Sequence, residues 1–177
     1  MTHTPQSIEQ ALIDIAYTIA DEYDAQIKTL DPSAKTEKKA LSIQREIARL
    51  SNHAGLNGFS GPNYERHMEL ADRRFRNITA PYPAVTAYYD ALTEDDRRAV
   101  LHYLRSLYFM AYTFLIPWKS ELARAKETGD VAAVFELELQ INTAKRVLDA
   151  RNAWWQEHAA DLPEIPAAIR DGKEVQL

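Results

Sequence analysis

Cysteine is absent from this 177-residue chain, and glycine is scarce, with five residues against eight prolines. Without cysteine there are no disulfides, no thiolate metal ligands and no cysteine nucleophile, a composition that fits a reducing compartment. Long apolar runs are missing too. The most hydrophobic segment, "LYFMAYTFLIPW" from Leu107 to Trp118, is bracketed by Arg105 and Lys119 and falls well short of the roughly 20 residues that span a bilayer. The N-terminal "MTHTPQSIEQALIDIAYTIADEYD" has no basic leader, and Glu9 and Asp14 interrupt its apolar positions, so it does not read as a signal peptide. A cytoplasmic protein with no membrane association is the expectation. Basic charge is also in short supply. The net charge of −5 disfavours a general nucleic-acid binder, which needs a positive face to neutralise phosphates. Strand-like alternation, internal repeats and low-complexity tracts are lacking as well.

What is present is helical periodicity. A first helix is expected over residues 5–30, with Ile8, Leu12, Ile15, Ile19, Tyr23, Ile27 and Leu30 on one stripe. Thr4 or Ser7 can cap it, and Pro5 suits its first turn. "LDPSAKT" then turns the chain, with Asp31 as the next start signal. A second helix over 33–53 carries Ala40, Ile43, Ile47, Leu50 and Ala54 at 3-4-3-4 spacing, and pairs with the first as an antiparallel hairpin.

"GLNGFSGPNY", residues 55–64, packs three of the five glycines into seven positions. Gly55 sits where a left-handed helix cap belongs, and Asn57-Gly58 and Gly61-Pro62 are turn dipeptides. A phosphate loop would need lysine then serine or threonine after the last glycine, and a dinucleotide fingerprint would need a preceding strand. The segment reads as a joint between helices.

A third helix over 63–78 aims Tyr64, Met68, Ala71, Phe75 and Ile78 inward, and a short one follows over 83–92. "LTEDDRRAVLHYLRSL" opens a strong helix in which Thr93 caps, Asp96 closes the box and acids crowd the positive end of the dipole. Pro117 predicts a kink or a restart. Gly129 stops one helix and Asp130 caps the last, over 131–160, whose stripe is Val134, Leu137, Ile141, Ala144, Leu148 and Trp155. The fold class is therefore all-α: a compact single-domain bundle of six or seven helices with two long antiparallel hairpins. The domain is expected over 1–162, with a prolyl turn and tail over 163–177.

Catalytic signatures are hard to find. No glutamate stands three residues before His53, His67, His102 or His158, and no two histidines are four apart, so the helical di-iron and zinc spacings are missing. Whether those four histidines converge in space is not written in their spacing. Neither a metal nor another cofactor is expected. Acid pairs such as Glu94-Asp95-Asp96 lie at helix ends, and no serine sits in a nucleophile elbow. Glu136 and Glu138, inside "VFELELQI", are expected to flank the stripe and stay out of the core.

Residues 31–80 hold nine Lys/Arg against six Asp/Glu, while the rest of the chain holds twelve against twenty. Within this positive third, Arg66, Arg73 and Arg76 are expected on one stripe with Arg74 beside it, partly neutralised by pairs such as Glu69–Arg73. Seven of the nine tyrosines fall between Tyr64 and Tyr112. Tyrosine and arginine anchor interfaces, so Phe59, Tyr64, Arg66, Arg73, Arg76 and Tyr82 are the candidate interaction residues. The leading expectation is a non-enzymatic interaction or regulatory protein, an accessory factor of the bacterial or mobile-element kind, whose partner is another protein. One alternative is a small-molecule or metal-dependent bundle enzyme with a pocket among His102, Tyr103, Tyr108, Trp154 and Trp155. A second is a nucleic-acid binder using the Arg66–Arg76 helix. Long apolar stripes also make a homodimer conceivable.

Overall fold

The computed structural model describes residues 5–51, 64–81 and 83–158. Among them are seven α-helices and no strand: α1 (Pro5–Thr29), α2 (Lys35–Leu50), α3 (Tyr64–Thr79), α4 (Pro83–Ala91), α5 (Glu94–Phe109), α6 (Ile116–Thr128) and α7 (Val131–His158). A π-helical turn, Met110–Leu115, joins α5 to α6. The glycine-rich joint at 55–63 and the expected tail at 163–177 lie outside the described residues, as does a domain boundary at 162.

Two helical hairpins, α1/α2 and α6/α7, form the frame, and α2 also packs along α7. The π turn and α5 fill the space against α1, α6 and α7, while α3 is joined to the rest mainly through α5 and α4. One hydrophobic cluster runs through all of it, from Leu12, Ala16, Ile19, Ala20 and Tyr23 of α1 to Ile141, Ala144, Val147, Leu148 and Trp155 of α7. The small Ala16, Ala20 and Ala144 are fully buried, so helix backbones approach closely where they cross. No described helix is long and apolar enough to cross a membrane.

Local chemistry sets most corners. Asp31 does not cap α2. Its carboxylate accepts from the Ser33 amide at 2.8 Å and from the Ser33 hydroxyl, an Asx turn that precedes the helix, and Ala34 offers α2 no side-chain cap. At α5 the Asp96 amide donates to the Thr93 hydroxyl oxygen at 3.2 Å, and that hydroxyl donates to the Asp96 carboxylate at 2.7 Å. Gly129 takes φ 72°; its amide reaches the Lys126 carbonyl while Asp130's reaches that of Ala125, a complete Schellman stop. Asp130 then caps α7 by accepting from the Ala133 amide at 3.0 Å.

At Pro117 the chain restarts. The missing N–H and the ring's clash with the carbonyl four residues back disfavour a continuous α-helix. The backbone widens into the π turn and resumes as α6 with Pro117 in its first turn, where no N–H is required. Leu50 departs from the expected stripe, at 46% exposure, because the buried edge of α2 ends on Ile47 and Ala48.

Candidate functional site

Helix α3 is built on three faces, and 3.6 residues per turn decides which side chain falls on which. Met68, Phe75 and Thr79 are buried, and the Thr79 hydroxyl donates to the Phe75 carbonyl at 2.9 Å. One flank carries Glu65, Asp72 and Arg76. The outer face carries Arg66, Leu70, Arg73, Arg74 and Asn77, all exposed.

The flank is a closed network. Arg76 donates to Asp72 at 2.9 Å and to Asp90 at 2.6 Å, and its guanidinium lies 5.3 Å from the centre of the Tyr89 ring. The Tyr89 hydroxyl donates to the other Asp72 oxygen at 2.8 Å, and its ring packs on Phe75 at 4.3 Å. Hydrogen bonds to Asp90 first and Asp72 second raise Arg76 further above its ordinary pKa. Burial, and then the bond to the Asp72 carboxylate, push the Tyr89 phenol well up. Glu65 faces Arg98, which also holds Glu94 at 2.6 Å.

Arg76 was expected on the outward stripe. It belongs instead to the flank, where it ties α3 to α4. Leu70, which falls out of step with the Met68–Ala71–Phe75 stripe, takes the centre of the outer face at 38% exposure. Among the described residues Arg66, Arg73 and Arg74 form no ion pair, and the expected Glu69–Arg73 pair is not made. An exposed pair of this kind gains little in water. The acids of α3 that do pair meet other cations, Glu65 with Arg98 of α5 and Asp72 with Arg76 of its own helix. Three guanidiniums around one leucine are left facing outward.

Phe59 and Tyr82 lie outside the described residues, as does the side chain of Tyr64. Of the five pocket candidates, Tyr103 and Trp155 are brought together, buried and stacked with centroids 4.1 Å apart and planes 6° from parallel. The Tyr103 hydroxyl donates to the Asn152 side-chain oxygen. The two rings fill the space that a pocket between them would need. Trp154 points elsewhere and stacks on His158 at 4.6 Å, whose Nδ1 lies 2.9 Å from the Trp154 carbonyl. The side chains of His53, His67, His102 and Tyr108 lie outside the described set. Among the described residues no three His, Asp or Glu side chains gather as metal ligands do. Glu136 and Glu138 sit at the rim, paired with Lys39 at 2.8 Å and Lys126 at 3.0 Å.

The residue most easily missed is Arg151. It is fully buried. Its Nε and Nη2 both donate to the Leu12 carbonyl, at 3.1 and 2.9 Å, and Nη2 also donates to the Ser51 carbonyl at 3.1 Å. One side chain of α7 thus holds α1 and the end of α2. Burial pushes the guanidinium down to about 10. The signal for it was there: Arg151 continues the 4-3-4 rhythm of Ala144, Leu148 and Trp155. Comparison with family models, curated proteins and solved structures finds no match.

Proposed function

We propose that this chain is a non-enzymatic interaction protein that binds another macromolecule through the outer face of α3. The single observation that supports this is the outward cluster itself: Arg66, Arg73 and Arg74, unpaired among the described residues, surround the exposed Leu70. Arginine fixed on a rigid helix loses less on docking than a loop side chain does, and its planar donor fork gives geometry as well as charge. Behind it, Arg76–Asp90 and Arg98–Glu65 tie α3 to α4 and α5, and Met68 and Phe75 are buried, so the face is held by packed neighbours.

The reading is tested with Arg66→Ala, Leu70→Ala and Arg73→Ala combined in one variant. These are surface positions, so its thermal midpoint should match the wild type within a few degrees. In pull-downs from host cells, wild type should retain a partner that the triple variant loses. A variant that folds normally and keeps every partner would end the proposal.

A further inference from the structure

We infer that the partner of this face is a short acidic protein segment carrying an apolar side chain between its carboxylates. The inference rests on the reading of α3 as a contact surface, and goes further by assigning the chemistry of what it contacts. Leu70 lies at the centre of the arginine cluster, not at its edge. A phosphodiester backbone offers nothing apolar to meet it, whereas an amphipathic peptide does. The cluster is also small. Arg66 and Arg73 are two turns apart, roughly 10 Å along the axis at ~1.5 Å per residue, which suits two or three carboxylates.

The surroundings discriminate further. Glu69 is exposed beside the arginines, and the adjoining flank carries Glu65 and Asp72. A continuous polyanion laid across α3 meets these acids, and the chain's net charge of −5 repels it at longer range. A short segment has to satisfy only local contacts. Its carboxylates can each take a bidentate guanidinium bond, with its apolar residue seated on Leu70 and its ends clear of the acidic flank. The charges and the apolar centre are thus complementary to such a segment and poorly matched to a nucleic acid.

The test uses the full chain. Random peptides of about 12 residues displayed on phage are selected on the immobilised wild type, after depletion on a variant carrying Arg66→Glu, Leu70→Ser and Arg73→Glu. Selected sequences are then synthesised, labelled and titrated by fluorescence anisotropy beside a labelled oligo-dT of similar net charge. The expected winners are rich in Asp and Glu around Leu, Ile, Phe or Trp. Arg73→Glu or Leu70→Ser should each weaken them by about tenfold or more, the scale of an interface anchor. Winners without net negative charge, or indifferent to Leu70→Ser, would overturn the inference. So would tighter, strongly salt-dependent binding of the oligo-dT through the same arginines, although α3 would then remain the contact face. If no ligand of either kind depends on α3, and the pull-downs lose nothing with the triple alanine variant, the contact surface fails with it.

Discussion

The frame of α1, α2 and α7 and the arm of α3 and α4 treat the same side chain in three ways. In the frame Arg151 is fully buried and donates to main-chain carbonyls of two other helices. Within the arm and between it and α5, Arg76 and Arg98 are part-covered and matched to carboxylates. On the outer face of α3, Arg66, Arg73 and Arg74 are exposed and no described acid meets them. A guanidinium is expensive to bury and cheap to leave in water, so each buried one has to be justified by the groups it satisfies. Those left over are the ones a partner can use without dismantling the fold.

The largest effect expected from breaking this contrast is Arg151→Met. The volume is roughly kept, but the Ser51 carbonyl, at the end of α2 where helix carbonyls lack intrahelical donors, loses its partner. Leu12's carbonyl loses two contacts. Leaving buried acceptors short costs about 1–3 kcal/mol each, so a loss of about 2–4 kcal/mol is expected in urea unfolding. The pH dependence has a definite sign. Because burial lowers the folded value to about 10, the unfolded chain holds that proton more tightly above this pH. Arg151's contribution to stability therefore rises from about pH 10 upward, and the methionine variant loses that rise. An unchanged midpoint would show that the frame does not depend on its buried arginine.

Tyr89→Phe tests the intermediate case and should cost about 1 kcal/mol at neutral pH, the net worth of a typical hydrogen bond, because Asp72 keeps Arg76. The phenol's folded pKa is raised by burial first and by Asp72 second. Its stabilisation is then fully present below the ordinary value of 10.0 and is lost as pH climbs through the folded one. The gap between wild type and variant should narrow above about pH 10, opposite in sign to the Arg151 trend. Urea titrations at pH 7 and in the alkaline range measure both. Parallel curves at all pH values would mean that the Asp72 bond contributes nothing.

Much of this architecture could be read in advance because its signals are local. The Thr93–Asp96 box, the Gly129 stop and the Asp130 cap each sit within a few residues of the groups they satisfy, and the stripes of α1 and α7 declare their faces by spacing alone. Arg151 could not be valued in that way, since the carbonyls it serves are 139 and 100 residues distant along the chain. Arg76 was placed outward because periodicity does not reveal that Asp90 of the next helix would come within reach. Tyr103 and Trp155 were expected to line a pocket, and in the fold they stack on each other. Whether two aromatic rings line a void or close it depends on how α5 and α7 approach, which spacing does not encode. Leu50 carries the converse lesson: its spacing placed it on the buried stripe of α2, and its exposure marks where the core edge ends.

The smallest expected effects are the sharpest test of the surface reading. Lys39 and Arg73 are both exposed cations, but Lys39 reaches across from α2 to Glu136 of α7 at 2.8 Å, whereas Arg73 has no described acid. An exposed ion pair is worth about 0.2–1 kcal/mol, so Lys39→Ala should cost about 0.5 kcal/mol, and the cycle with Glu136→Ala should recover that coupling. High salt should shrink it through screening. Arg73→Ala should leave stability unchanged within about 0.5 kcal/mol at any salt. The two variants then separate a cation that braces the frame from one that braces nothing. Should Arg73→Ala destabilise the chain as much as Lys39→Ala, the arginine would be serving the fold after all, and α3 would lose its claim to hold charge in reserve for a partner.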